Sequence, residues 1–577
     1  MVTTSLKSFR VDGTIPSKQT HTLRTYEGFD QMLSHNGLGQ RNLSSSPTLP
    51  AALGVVTEGS FSGGLTVRLF PDCPPELLRV GSFVVLEGEH HRYFGTITDI
   101  KLRTTDTAIS ADPPFSASRF TRRVLKGIQA YATVDVRPSL MLHESASPVG
   151  RGPQPIQTIP DHFALLRLAN PDDVALVFGQ PDDQHFALGT PPSMDIPVPL
   201  DLQRLIQRSN GVFGQSGSGK SVLTRLLLFG IIKADLASVL LFDMHNEYAR
   251  APHDEPSIVG LVDLFGPSRI RLYTLDERLA QHAGSRTIQI GLNQIEPDDL
   301  ALLQEELSLP ATFLNTAELL YKQFKHTWIN KTLSMSDDDA AEFCKATGVH
   351  AASLDALRSR LQRLARRSYL LPELTSPSTL DDLLANLERG QHVILQFGRY
   401  NAFLDYMLVT NLITRRIYER YVERTLTFDG SSEGRRIVIV LEEAHKFLAP
   451  EAARQSIFGT IAREMRKYLV TLLIVDQRPS GIDPEVLSQL GTKIIGPLAD
   501  QHDIDAVLTG TADRNQLRQF LTNLQPQQEC LVIGHAVPMP ILLRTRQYKR
   551  DELLAELRAS GKAPVDPQTA RSLLYGE

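Results

Sequence analysis

The chain has 577 residues, of which 42% are hydrophobic and 22% charged, with a formal net charge of −5. These are the proportions of a globular protein, and the length sets an expectation of roughly two to four domains. They exclude a low-complexity or strongly basic chain, although a basic stripe lining a ring or groove would vanish in the sum. No apolar run reaches membrane-spanning length, and the opening MVTTSLKSFRVDG carries no apolar segment of a secretory signal. The 3 cysteines, Cys73, Cys344 and Cys530, are far apart and match no metal spacing. A reducing cytoplasm with no membrane attachment is expected.

Residues 1–49 are polar with a Ser-rich end, LSSSPTLP, and are expected to be an extension. Residues 50–143 carry a strand pattern. Leu65, Val67 and Leu69 alternate with polar residues, as do Ile128, Ala130, Ala132, Val134 and Val136. FVVLEGEHHRYFGTITDI reads as two strands around a turn at Gly88, with His90 and His91 as solvated turn residues. Short alternating strands at this spacing predict a small barrel or sandwich. Residues 144–194 begin as a Pro/Gly/Ser-rich linker and continue as FALLRL, DVALVFGQ and HFALGT, read as strands bordering the core.

A larger domain follows in two parts, 195–295 and 391–543, around a helical insertion at 296–390. SVLLFD, HVILQF and RIVIVL are apolar without alternation, as strands of a parallel sheet buried on both faces are. In the insertion, Phe313, Ala317, Leu320, Phe324 and Trp328 form a helical stripe, as do Leu354, Leu357, Leu361 and Leu364. Arg360, Arg363 and Arg367 share the polar face of the second helix, where a solvated face is expected and phosphate-backbone contact is the alternative. A long helix is predicted from about Ala402 to Thr425, and residues 544–577 form a charged, helix-like tail. The predicted fold class is α/β, a largely parallel sheet with a helical insertion, preceded by a small β-barrel.

The most informative stretch is Gly214-Gln215-Ser216-Gly217-Ser218-Gly219-Lys220-Ser221, which reads G-x-x-x-x-G-K-S. It follows the strand end Gly211–Phe213 and opens the apolar run Val222–Ile232. Strand, glycine loop and helix in that order form a phosphate-binding loop. Glycines let backbone N–H groups turn onto phosphate oxygens, and the helix N-terminus adds partial positive charge. Lys220 is expected on the β- and γ-phosphates of ATP and the Ser221 hydroxyl on Mg²⁺, with Val222 completing the nucleotide-binding set.

RIVIVL ends in Glu442-Glu443. One carboxylate at such a strand end holds Mg²⁺ and the other orients the attacking water; Glu442 is assigned to the metal and Glu443 to the water. Asp is usual at the first position, so Glu442 is a departure. Asp243, His245 and Glu247, in DMHNEY, stand at another strand end facing the same crevice. The strand ending in Asp476 is followed by Gln477 and Arg478, and a Gln there is placed to sense a γ-phosphate. Arg463, Arg466 and Lys467 crowd a helix end upstream, where an arginine can stabilise transition-state charge from the same chain or a neighbour.

In this order GQSGSGKS, FDMHNEY, LEEAHKF, REMRKY and DQRPSGID resemble the HerA branch of the FtsK–HerA ATPases, and the strands ahead of them resemble its HAS-barrel. The resemblance covers about Gly54 to Pro540. It implies a RecA-like core in a homohexameric ring that hydrolyses ATP with Mg²⁺ to translocate double-stranded DNA. It also implies a partner on the barrel side, a NurA-type nuclease or another effector, in DNA end processing or phage defence. By the same resemblance Asp243 and Glu247 are the acidic pair of the D-x-x-x-E-Y strand end. Arg466 takes the place of the trans-acting arginine, with Arg463 as the fallback, and the tail becomes an arm embracing the next subunit. Asp476, where Ser or Thr is common, is a second departure, and the long N-terminal extension a third. A competing expectation is a ring scaffold that binds ATP to assemble an effector nuclease or NADase without productive translocation. No LSGGQ-like signature of a transporter ATPase is present.

Overall fold

The structure is a computed structural model that describes residues 50–105, 109, 111, 118–143, 152–251, 258–310, 312–374, 378–426, 434–526 and 528–563. The expected extension 1–49, the first residues of the linker and the end of the tail lie outside these.

Strands β1 (Gly54–Ser60), β2 (Gly64–Leu69), β3 (Phe83–Glu87), β4 (His91–Thr104), β5 (Ala130–His143), β6 (Gln154–Pro155) and β7 (Leu165–Leu168) form one 7-stranded antiparallel sheet. Because β2 also pairs with β5, the strands β1, β2, β5, β4, β3 and β7 close into a barrel, with β6 a flap on β5. Closure removes the sheet edges that would otherwise template pairing with other chains. The predicted turn at Gly88 joins β3 to β4, with the Gly88 N–H donating to the His91 carbonyl at 3.0 Å.

Two readings of the 144–194 stretch are corrected. FALLRL does not border the larger sheet; as β7 it is the closing stave of the barrel, between β1 and β3. DVALVFGQ is not a strand but lies largely within the helix Pro171–Phe178. The local chemistry decides this. Asn170 and Asp173 form a reciprocal capping box, and Pro171 occupies the first turn, where its missing N–H costs nothing. Val174, Val177 and Phe178, at helical spacing, are the apolar side chains buried.

The second sheet is 12-stranded. Its members are β8 (His185–Thr190), β9 (Val198–Asp201), β10 (Asn210–Phe213), β11 (Ser238–Asp243), β12 (Ile270–Thr274), β13 (Arg286–Thr287), β16 (His392–Gln396), β17 (Ile437–Glu442), β18 (Val470–Asp476), β19 (Thr492–Ile495), β20 (Glu529–Gly534) and β21 (Ile541–Thr545). The short pair β14 (Ile290–Gly291) and β15 (Leu370–Leu371) stands apart. The order is β13-β12-β16-β11-β17-β18-β10-β19-β20-β21-β8-β9. From β13 to β19 neighbours are parallel, and from β19 to β9 they are antiparallel. β20 and β21 were not among the predicted strands.

Both faces are covered, which is why these strands read as continuous apolar runs. Leu240 and Phe242 of β11 pack on one side with Leu408 and Leu412 of the long helix Phe403–Leu426. Val239 and Leu241 pack on the other with Leu226 and Leu227 of the helix Lys220–Ala234. Barrel residues Phe83, Val85 and Phe94 join that second core, and Phe83 stacks on Phe178 at 5.4 Å.

In the insertion the Leu354–Leu364 stripe is buried, as predicted. The Phe313–Trp328 stripe is broken: the helix Phe313–Phe324 stops where Lys325 takes φ +50°, and Trp328 begins the next one. Arg367 is committed inward, its guanidinium pairing with Asp405 of the long helix. Arg367 thus departs from the solvated helix face expected of it.

Arg544 and Thr545 belong to β21, and the helix Arg550–Ala559 packs on its own chain. Leu553 and Leu557 are 0% exposed, and Glu556 pairs with Lys233 and Arg546. Each of Leu553→Ala and Leu557→Ala should therefore cost about 2–5 kcal/mol of stability, as buried leucines do. Denaturant melts would show this as lower midpoints, and unchanged midpoints would mean that the helix does not belong to its own core.

Candidate active site

The phosphate loop leaves the end of β10. Phe213 pairs in register with Asp476 of β18, and the Gly214 N–H donates to the Asp476 carbonyl at 3.2 Å. Gly217 and Gly219 take φ +74° and +87°, a left-handed backbone that an L side chain resists. A Cβ on Gly214 would meet Ser218 Oγ at 2.5 Å, so glycine is required there for closeness rather than for its φ. Residues Gln215 to Leu223 line a cavity of about 790 Å³, with Arg225, His245, Asn246 and Glu247 on its wall. Ser218 Oγ is buried with no hydrogen-bond partner, close to Gly214 and Gly496.

Ile258, Glu529 and Thr545 also line this cavity. They were not anticipated. Glu529 and Thr545 come from strands β20 and β21, whose antiparallel direction brings one strand's start and the other's end to the loop side of the sheet. No motif near them marks this, and only the topology does.

Beyond β18 lies β17, with Glu442 in register with Val475. The Glu442 carboxylate is buried. Its Oε1 accepts the Tyr248 hydroxyl at 2.7 Å, while Oε2 is buried with no partner. A carboxylate oxygen without a partner at the strand end is a donor of the type Mg²⁺ takes; Glu442 itself is not among the residues that line the cavity. Burial pushes the Glu442 carboxyl up to about 8; the Tyr248 hydrogen bond opposes this, and the charges of Asp243, Glu247 and Glu443 add to it.

Glu443 has φ +49°, a left-handed backbone at a non-glycine residue. Such strain costs about 1–2 kcal/mol and persists where the surroundings over-determine it. Here Gln477 Nε2 donates to both Glu443 oxygens, at 3.1 and 3.3 Å. His445 Nδ1 lies 3.7 Å from Glu443 Oε2 and 3.0 Å from Asp476 Oδ2. Asp476 in turn accepts the backbone N–H groups of His445 and Arg478, each at 2.6 Å. The aspartate that departs from the expected Ser or Thr is thus the buried post that joins the turn after β17 to the end of β18.

Asp243 does not face the cavity. It is fully buried, and its carboxylate accepts the N–H groups of Glu247, Tyr248 and Ala249 at 2.8, 3.2 and 3.4 Å. Burial nonetheless pushes it up to about 6. Its place is to shape the turn that presents His245, Asn246 and Glu247 to the cavity, rather than to touch a phosphate itself. Arg463 does not reach the cavity either; its guanidinium donates to the Ala453 carbonyl at 3.1 Å. Arg466 lies in the 3₁₀ turn Met465–Tyr468 ahead of β18, and its side chain is outside the described residues. Arg463 is not among the described residues that line this chain's own cavity.

A phosphate loop, an acidic strand end two strands away and a polar strand end between them define the class, a P-loop ATPase on a parallel sheet. The family described as the HerA helicase central domain matches residues 186–417, and the HAS-barrel domain matches 53–142. The probable DNA double-strand break repair helicase HerA of Methanocaldococcus jannaschii is 32% identical over 392 residues, 61% of this chain and 74% of that protein. The DNA double-strand break repair helicase HerA of Sulfolobus acidocaldarius is 23% identical over 507 residues, 86% of this chain and 94% of that protein. Among solved structures, the bacterial conjugative coupling protein TrwB matches with a TM-score of 0.45 at 14% identity, over 66% of this chain and 92% of that one. The chain belongs to the HerA family and is an ATP-hydrolysing enzyme. Among the described residues, no helix is long and apolar enough to cross a membrane.

The raised Glu442 value fixes a pH dependence. In the native state the group holds a proton that the unfolded chain, with the ordinary value of 4.5, has lost. Its contribution to stability is full below about 4.5 and is lost as pH rises through about 8. Thermal unfolding between about pH 5 and pH 8 should thus show a steeper loss in the native protein than in Glu442→Gln, with Asp243 leaving a residual slope in both. Equal slopes would contradict the burial of an ionisable carboxyl at this strand end.

Proposed function

We propose that this ATPase is a ring-forming motor on double-stranded DNA, a homohexamer that acts with an effector protein docked on its barrel side. The observation that carries the reading is the emergence of the phosphate loop, the Glu442–Glu443 pair and Gln477 from the adjacent strands β10, β17 and β18. That is the equipment of hydrolysis, and a scaffold needing nucleotide only for assembly has no use for Glu443. The names of the HerA relatives, which describe DNA double-strand break repair helicases, support DNA as the substrate.

The geometry supports the following assignments. Backbone N–H groups of Gly217 to Ser221 and the Lys220 ammonium take the phosphates. Ser221 and Glu442 would hold Mg²⁺, which when bound would supply charge neutralisation at the triphosphate. Glu443 orients the attacking water and accepts its proton, which requires it to leave the Gln477 amide; Gln477 is then free to donate to the γ-phosphate, so that each reports the other's position. Arg466, or Arg463 in its place, completes a neighbour's site rather than its own. This explains why the Arg463 guanidinium is turned away from this chain's cavity. The effector is a NurA-type nuclease or another end-processing or antiviral protein.

Steady-state ATP hydrolysis with and without linear double-stranded DNA tests the motor. DNA should raise the rate, and Glu443→Gln should lower it by at least about 100-fold, the usual contribution of a positioned base, while nucleotide binding survives. Hydrolysis indifferent to DNA in a protein that still forms rings would favour the scaffold.

A second outcome is expected of arginine complementation. Mixing Arg466→Ala with Lys220→Ala subunits should restore part of the activity that each lacks alone, because a trans-acting arginine and an intact loop then meet at some interfaces. No restoration at any mixing ratio would remove the trans role.

A further inference from the structure

We infer that Tyr248 is the positioning residue for the metal-side carboxylate, its hydroxyl anchoring one oxygen of Glu442 and leaving the other without a protein partner. The inference rests on the assignment of Glu442 to Mg²⁺ and adds to it a residue to which the site assignment gives no role.

A glutamate carries its carboxylate one methylene further from the strand end than an aspartate, on a side chain with an extra rotatable bond. Left unanchored, that carboxylate has several orientations. In this chain it has one. Oε1 is taken by the Tyr248 hydroxyl at 2.7 Å, and only Oε2 is left without a partner. One oxygen is thereby spent on the protein, and the other is left buried without a partner. Hydrogen-bonded partners of this kind orient a ligand and set its basicity.

Tyr248 is itself fixed from three directions. Its ring is 0% exposed. Its backbone N–H donates to Asp243 Oδ2 at 3.2 Å. The Arg225 guanidinium lies 5.3 Å from the ring centroid, and the same group donates to the Glu247 carbonyl at 2.8 Å. Arg225 stands one turn beyond Ser221 on the helix that the phosphate loop opens. The helix that carries Ser221 is therefore connected to Glu442 through Arg225 and Tyr248, without any nucleotide. The buried Asp243 acquires a reason as well, since it holds the turn from which Tyr248 reaches across to β17. Tyr406 provides an internal contrast: its hydroxyl accepts the Glu442 N–H at 3.2 Å and donates to the Glu442 carbonyl at 3.1 Å, touching the backbone of this residue but not its carboxylate.

The test is Mn²⁺ binding to the full chain in the presence of a non-hydrolysable ATP analogue, followed by electron paramagnetic resonance of the free ion, for the native protein and for Tyr248→Phe, Tyr406→Phe and Glu442→Gln. Tyr248→Phe should weaken Mn²⁺ by about 10-fold or more, the usual effect of removing such a partner. Its affinity for the analogue without metal should be unchanged, and Tyr406→Phe should bind Mn²⁺ as the native protein does. Native Mn²⁺ affinity in Tyr248→Phe, with Glu442→Gln impaired, would overturn the role of Tyr248 and leave the metal assignment standing. Native affinity in Glu442→Gln would overturn that assignment, and this inference with it. Should Tyr248→Phe fail to fold, Glu442→Asp tests the same contact by withdrawing the carboxylate from the hydroxyl; a loss similar to that expected of Tyr248→Phe supports the inference, and native affinity overturns it.

Discussion

The structure depends on one constraint, that several carboxylates must share the buried ends of adjacent parallel strands. Glu442 on β17, Asp476 on β18 and Asp243 on β11 end neighbouring or next-neighbouring strands, and all three are buried. Like charges withdrawn from water at close quarters are costly unless each is given donors. Asp243 receives three backbone N–H groups from its own turn, and Asp476 two from the segments that flank it. Glu442 receives a single hydroxyl and keeps one oxygen bare. The unequal distribution separates carboxylates that build the site from the one left to meet a ligand.

Seen this way, the surrounding elements have defined tasks. The glycine loop needs β18 beside β10, because the Asp476 carbonyl anchors its first N–H. The turn after β17 needs the Asp476 side chain, which holds His445 and through it crowds Glu443 toward Gln477. The antiparallel strands β20 and β21 extend the cavity wall away from the loop. The tail helix seals the far side of the loop helix through Lys233 and Glu556, so that a part of the chain expected to serve a neighbour serves its own core.

Most of the frame was legible because the local signals agree with one another. The loop motif, the apolar strands and the acidic strand end each have a single physical reading, and each was placed as expected. The misreadings share a cause, which is that tertiary pairing outweighs short-range pattern. FALLRL alternates as any half-buried strand would, and nothing in it says which sheet it joins. DVALVFGQ looks extended until Asn170 and Pro171 are taken as a helix start. Asp243 was taken for a residue that meets phosphate because an acid at a strand end faces the crevice in projection. Only the structure shows its oxygens consumed by the turn. Tyr248 was visible in DMHNEY but carried no signal, since its partner Glu442 stands 194 positions further along the chain, on another strand.

The central claim is that a metal–nucleotide complex seats between the glycine loop and the bare oxygen of Glu442. The most direct measurement is an experimental structure of the full chain with Mg²⁺ and a non-hydrolysable ATP analogue. The account requires the triphosphate on the Gly217–Ser221 backbone, the ion on the Ser221 hydroxyl with Glu442 Oε2 reaching it directly or through water, and Oε1 still on Tyr248. An ion placed with no path to Glu442, or a carboxylate that turns Oε1 away from Tyr248 to bind it, would contradict the account.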